Sequence, residues 1–284
     1  MLSPVILLFV ITCSRQGRLG TSNAENSVRF DTVSLTARHH LDGDTAKPCC
    51  NIKVKFIYPV GNGKAVPDML QQFFIRNTFG APYDTLTPPE AADAYVRNYI
   101  ENYTADAKTY RDDETEDPDA DHTGHHHGES SFYSYYEDLS VSIVYNRHGI
   151  LSFQVKQSNN KGGAASYDSF HNYVLNLQTG RQVMESDLFD AGYDTALQRL
   201  IIASLLDQAR VKSVEELEDL GFFGVREIIP NSNFLLNGEG IIYIYNKGEY
   251  SAYQLDAPQV FIPYELIRSL LKQNSVASQI AGLQ

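Results

Sequence analysis

Four imidazoles, those of His122, His125, His126 and His127, stand close together behind a run of acids that includes Asp112, Asp113, Glu114, Glu116, Asp117, Asp119 and Asp121. Neutral imidazole is a good ligand for Zn2+, Cu2+ or Ni2+, so this segment is the candidate metal site. A catalytic metal needs ligands on rigid elements with a supporting shell. A Gly-flanked, acidic stretch with almost nothing apolar supplies neither. It reads as a solvated surface loop, with weak metal binding as the alternative. No cofactor is expected. Gly162-Gly163 lacks both the Walker lysine-serine arrangement and the dinucleotide pattern, so it reads as a turn. No G-x-S-x-G elbow frames a nucleophile. Glu215 and Glu216 sit on a helix face turned to water. An enzyme built on this chain would draw on such carboxylates or on His148.

The tyrosines offer more. There are 18 of them and no Trp. A rigid ring with one polar tip suits sugar stacking and protein interfaces, and it also suits ordinary sheet packing. Tyr133, Tyr135 and Tyr136 precede one strand. Tyr243 and Tyr245 share a strand face and are expected to pack. Tyr250 and Tyr253, beside Lys247-Gly248-Glu249, are expected to be exposed. With Asn246 they form the candidate partner-binding loop.

Three cysteines complete the reactive groups. Adjacent Cys49 and Cys50 are poorly placed to pair with each other. Without a CxxC, a zinc site built on thiolates is not expected. Cys13 differs in context, because it ends the apolar run Val5 to Ile11. That run is far shorter than the ~20 residues of a membrane-spanning helix. It matches the apolar region of a signal peptide ending in a lipoprotein processing site. Residues 1–13 are therefore expected to be a signal peptide with lipobox, Cys13 the lipid attachment point, and the body extracytoplasmic. The n-region lacks Lys and Arg, and Thr12 stands where Gly, Ala or Ser is usual. The competing reading is a buried N-terminal strand.

Residues 14–27 are small and polar and read as a tether. Net charge is −12 and the isoelectric point is near 5.1. This balance argues against nucleic acid and anionic lipid as electrostatic partners; it would favour a cationic one, but the leading reading is that the acidity simply keeps the protein in solution. An apolar content of 43% supports a real core.

Two textures follow. Over 28–105, Ile52, Val54, Phe56 and Tyr58 alternate along a strand. Asp68 can cap a helix carrying Met69, Leu70, Phe73 and Phe74. Thr87-Pro88-Pro89-Glu90 is a capping box, and Ala92, Tyr95, Val96, Tyr99 and Tyr103 recur behind it at helical spacing. The acidic, His-rich loop occupies 106–131. Over 132–284, strands are expected at Leu139 to Tyr145, Ile150 to Gln157 and His171 to Leu177. Helices are expected from about Asp194, at Ser213 to Leu220 and at Glu265 to Leu271. A hairpin joins Phe234 to Leu236 with Ile241 to Tyr245, and Val260 to Ile262 closes the sheet. The sum is an α+β fold, a mainly antiparallel sheet packed by helices in two sub-domains.

The later half also carries ordered landmarks. Lys161-Gly162-Gly163-Ala164 leads to Asn172-Tyr173-Val174-Leu175-Asn176-Leu177-Gln178-Thr179-Gly180-Arg181 and Glu185-Ser186-Asp187-Leu188-Phe189. Asn233-Phe234-Leu235-Leu236, Gly240-Ile241-Ile242-Tyr243-Ile244-Tyr245-Asn246 and Ile262-Pro263-Tyr264-Glu265-Leu266 follow. From roughly Tyr135 to Leu271 the chain resembles the C-terminal domain of the anti-sigma factor RsiV. That domain is shared with the peptidoglycan deacetylase PdaC and classed as domain-of-unknown-function family 3298. Members often carry His after the Gly-Gly-Ala, whereas Ala165 stands here, so no role of that histidine transfers. The resemblance implies a cell-envelope domain that binds glycan such as peptidoglycan, or a glycan-directed cationic protein such as lysozyme. A non-enzymatic binding protein is the leading expectation, and an enzyme acting on envelope glycan is the alternative.

Overall fold

The computed structural model describes residues 26–61, 68–107, 133–162 and 166–282. Cys13, most of the tether, the histidines at 122, 125, 126 and 127, and Ala165 lie outside the described residues. The architecture is α+β with mainly antiparallel sheets, as expected. A six-stranded sheet has the order β1-β2-β3-β4-β5-β6, and a separate three-stranded sheet the order β7-β8-β9.

Two compact units emerge. The described parts of 29–140 and 157–167 belong to the first, and 26–28, 141–156 and 168–282 to the second. A single cut at 131/132 does not reproduce this division. β3 (Tyr135–Arg147) and β4 (Ile150–Lys161) are longer than their apolar cores suggest, and each contributes residues to both units.

In the first unit, β1 (Arg29–His40) and β2 (Cys49–Val60) pair antiparallel from Arg29–Val60 to His40–Cys49. The alternation in β2 does what its sequence asks: Ile52, Val54 and Phe56 are buried while Lys53 and Lys55 face water. β3 then lies parallel to β2, from Cys50–Tyr135 to Lys55–Ser140. A parallel pair needs a long crossover rather than a tight turn. Here the crossover includes α1 (Asp68–Phe79) and α2 (Pro88–Asp106).

The start of α2 is fixed locally. The Glu90 carboxylate accepts from the Thr87 backbone N–H at 3.0 Å and from the Thr87 hydroxyl at 2.6 Å. Pro88 opens the helix where its missing N–H costs nothing. Phe74, Ile75 and Phe79 of α1 and Ala91, Ala92 and Val96 of α2 are buried. The Phe56 and Phe79 rings meet edge-on, 4.7 Å between centroids.

In the second unit, the turn after β3 has φ of 56° at His148 and 72° at Gly149. Two successive positive φ values make the tight turn whose twist matches a hairpin. β5 (Tyr167–Asn176) and β6 (Arg181–Gln182) end the large sheet. Then come α3 (Glu185–Leu188), α4 (Asp194–Ala209) and α5 (Val214–Asp219). The small sheet is β7 (Phe234–Leu236), β8 (Gly240–Ile244) and β9 (Gln259–Pro263), all antiparallel. Leu197, Ile201 and Leu205 of α4 share one core with Ile241, Tyr243, Val260 and Ile262. The helix expected over Glu265 to Leu271 is only α6 (Tyr264–Ile267). Its end is taken by an isolated β-bridge between Phe189 and Leu271. The last helix is α7 (Val276–Ile280), which the sequence reading did not anticipate.

Candidate functional site

A cleft lined largely by polar and aromatic side chains lies wholly within the first unit. It encloses about 250 Å3, near the lower end of the size range of small-molecule sites. Its walls follow from two periodicities. Along α2, the lining residues are Tyr95, Asn98, Tyr99, Asn102, Tyr103 and Asp106. These steps of three and four put one helix face toward the cleft. Along β3 they are Tyr135 and Glu137, and along β4 Gln157, Asn159 and Lys161. Steps of two keep each set on one sheet face. Tyr83, from the short helical turn Ala81–Tyr83, closes one side.

Glu137 is the unusual member. The inward positions of β3 run Glu137, Leu139, Val141 and Tyr145, all buried. A carboxyl therefore stands where the strand pattern asks for a hydrophobe. Glu137 is only 5% exposed, and its Oε1 accepts from the Tyr95 hydroxyl at 2.5 Å. Burial is the main influence and raises its pKa above the ordinary carboxylic range. The Tyr95 hydroxyl, the Gln157 amide and the Lys161 ammonium oppose that rise without cancelling it.

The surrounding rings are ordered by one another. Tyr83 and Tyr95 meet edge-on at 5.9 Å, and Tyr103 and Tyr135 at 5.3 Å. The Asn98 side-chain amide donates to the Tyr83 hydroxyl at 2.7 Å. Burial raises the pKa of Tyr95, Tyr99 and Tyr135, so these hydroxyls keep their protons at neutral pH. Rings with polar tips, side-chain amides and one buried carboxyl form a surface that can stack on a sugar face and hydrogen-bond its hydroxyls.

The sequence places Tyr95, Tyr99 and Tyr103 at helical spacing along α2, and Tyr135 in a cluster before a strand. It does not join them. The strand expected from Leu139 leaves Glu137 outside the alternation. Extending the period-two pattern by two residues would have exposed the misplaced acid.

The loop after β8 is more committed than expected. The Asn246 Oδ1 accepts from the Phe170 N–H at 2.7 Å, and its Nδ2 donates to the Phe170 carbonyl at 3.3 Å. Tyr250 corrects the expectation of exposure. It is half-buried, with its ring edge-on to Tyr245 at 5.3 Å. The Phe223 N–H donates to its backbone carbonyl at 3.0 Å, which draws this loop onto the residues after α5. Tyr253 is 55% exposed, and Tyr243 and Tyr245 are buried as expected. His148 faces solvent from its turn, with Nδ1 2.6 Å from the Tyr145 hydroxyl. Glu215 is ion-paired with Arg226, and the Glu216 carboxylate accepts from the Lys212 N–H.

Two buried polar clusters in the second unit hold the fold. The Glu185 carboxyl accepts from the Tyr193 hydroxyl at 2.9 Å and the Ser232 N–H at 3.0 Å. Asn233 bridges strands. Its Oδ1 accepts from the Asn172 N–H at 2.9 Å, and its Nδ2 donates to the Phe170 and Ile244 carbonyls, each at 2.9 Å. Among the described residues, no group of three or more His, Cys, Asp or Glu is placed to hold a metal ion. No described helix is long and apolar enough to cross a membrane.

Known proteins place the fold. The chain is similar to a crystal structure of a DUF3298 family member from Bacteroides fragilis. The identity is 27% and the TM-score 0.81, covering 92% of this chain and all of that one. It also shares its fold with a DUF3298 family protein from Pseudomonas aeruginosa. There the identity is 13% and the TM-score 0.58, with 89% of this chain and 98% of that one covered. No curated protein matches. The family model "Protein of unknown function (DUF3298)" matches residues 186–265, all in the second unit, so the tyrosine cleft lies outside the matched segment. Within its second unit, then, residues 186–265 match the DUF3298 family model, and the fold is similar to that of solved DUF3298 family proteins.

Proposed function

We propose that this is an exported, lipid-anchored cell-envelope protein, attached through Cys13, that binds envelope glycan of the peptidoglycan kind without transforming it. The observation that carries the binding reading is the cleft, where tyrosine rings, four side-chain amides and a buried carboxyl converge. Asn98 and Asn102 stand on its exposed edge, so both can be changed without touching the core.

Purified full-length protein should be retained on insoluble peptidoglycan. Asn98→Ala combined with Asn102→Ala should release it. Absence of retention overturns the glycan reading. Mass spectrometry of the mature N-terminus tests the anchor: an acylated Cys13 supports it, and an intact Met1 overturns it.

Glu137 favours a second reading, an enzyme acting on the same glycan, because a buried carboxyl with raised proton affinity in a cleft is what a general acid needs. Release of soluble fragments from peptidoglycan, lost in Glu137→Gln with retention kept, would establish catalysis over binding alone. A protein partner would use another surface. Leu220 and Phe223 are 50% and 45% exposed beside exposed Glu218 and Asp219 in the second unit. This acid-flanked apolar patch suits a cationic protein such as lysozyme. Capture of lysozyme that weakens in Phe223→Ser would support that partner.

A further inference from the structure

Of the charged residues that line the cleft, Glu137 alone is buried, while Asp106 and Lys161 are exposed. The fold places this carboxyl at the base of the cleft and gives it only a partial set of partners. The Tyr95 hydroxyl and the Gln157 amide donate hydrogen bonds to it, and Lys161 acts on it without forming an ion pair among the described residues. Desolvation outweighs these groups and raises its pKa.

What the carboxylate lacks is a cation close enough to hydrogen-bond. The rings around it are suited to one. Tyr83, Tyr95, Tyr99 and Tyr135 line the same space, and the faces of such rings attract ammonium groups. Amide groups of Asn98, Asn102, Gln157 and Asn159 share the walls, and they match neutral hydroxyls rather than a second charge.

We propose that the cleft takes a saccharide bearing a free amino group, with its ammonium between the Glu137 carboxylate and the tyrosine rings and its hydroxyls on the side-chain amides. This rests on the glycan reading and names the kind of sugar. One consequence is a proton balance. Burial raises the proton affinity of Glu137 in the free cleft and an arriving ammonium lowers it, so at mildly acidic pH, where the sugar's own amine is already fully protonated, binding displaces protons from Glu137 to solvent. The other titratable groups lining the cleft with Glu137 are Tyr83 before α2, Tyr95, Tyr99, Tyr103 and Asp106 from α2, Tyr135 from β3 and Lys161 from β4. Burial holds the protons of Tyr95, Tyr99 and Tyr135 at neutral pH, so these do not account for the release.

The experiment is calorimetry at mildly acidic pH on the full-length chain in mild detergent, in two buffers of different ionisation heat. The probes are glucosamine oligomers and N-acetylglucosamine oligomers of equal length. The amino form should bind roughly tenfold to a hundredfold more tightly, the range of one charge-assisted contact. Its heat should depend on the buffer in the sense of proton release. Glu137→Gln should erase both the preference and the release. Lys161→Gln should strengthen binding of the amino form. Equal or tighter binding of the N-acetyl form, or no proton release by the unaltered protein, overturns this inference and leaves the glycan reading standing. Binding of neither oligomer overturns both.

Discussion

Replacing Asn233 by Ala should destabilise the second unit by about 2–6 kcal/mol. The side chain makes three hydrogen bonds to backbone, but the three are not equivalent. The Phe170 carbonyl also accepts from Asn246 Nδ2 at 3.3 Å, and the Ile244 carbonyl from Asn231 Nδ2 at 2.9 Å. Each keeps a donor after the change, so each loss costs about 0.5–1.5 kcal/mol. The Asn172 N–H has no substitute acceptor among the hydrogen bonds of the described residues. Stranding a buried donor costs about 1–3 kcal/mol, which makes this bond the largest single contribution. Thermal and urea unfolding, followed by far-UV circular dichroism, give the number. At roughly 3 °C per kcal/mol for a unit of this size, the midpoint should fall by about 6–18 °C. Asn233→Asp sharpens the test. It keeps the acceptor for Asn172 but sets a carboxylate oxygen against two carbonyl oxygens. Its folded-state pKa must then rise above the unfolded value. The variant should be least impaired below the unfolded pKa and should lose stability as pH rises through the folded one. A change within about 0.5 kcal/mol for Asn233→Ala would refute the reasoning, and so would an Asn233→Asp penalty independent of pH.

Gly240→Ala should cost roughly 2–4 kcal/mol in chemical unfolding, because a Cβ there would lie 2.3 Å from the Ile262 carbonyl oxygen and 2.8 Å from the Phe261 ring. Glu137→Gln should gain stability relative to the unaltered protein as pH rises from about 4 to 8. A carboxyl whose folded pKa is raised stabilises the fold below its unfolded pKa and loses that contribution as pH climbs through the folded value. An unfolding-midpoint difference that stays flat across this range would contradict the direction of the shift. Cys49 and Cys50 should stay silent to a thiol reagent at pH 8 and react only in denaturant. Both are buried, and desolvation pushes the Cys50 thiol up to about 12.

Most of the architecture was legible because it rests on local rules. The Thr87 cap, the β2 alternation, the α4 stripe and the β7–β8 hairpin are each written in a handful of neighbouring residues. The misreadings arose where distant residues decide. β3 extends back to Tyr135 because β2 offers it a parallel edge, and no short window of sequence contains both strands. Tyr250 packs because the Phe223 amide holds its backbone. The cleft was half visible for the same reason. The tyrosines of α2 showed their helical spacing, but the carboxyl that gives them a chemical purpose came from a strand begun four residues too late.

The crossover between β2 and β3 has a consequence for how relatives can diverge. The α2 wall of the cleft belongs to that connection, whereas Glu137 belongs to β3, one of the two strands it joins, and Gln157 to the neighbouring β4. Lengthening a flexible loop costs only about 0.6 kcal/mol per doubling. Relatives can therefore alter the loops of the connection, and the exposed α2 positions Asn98, Asn102 and Asp106, at small thermodynamic expense while the strand pairing stays fixed. Selection for a new ligand would act first on these α2 positions and last on the buried acid beneath them. Across such relatives the ligand should drift along α2 while the fold stays put.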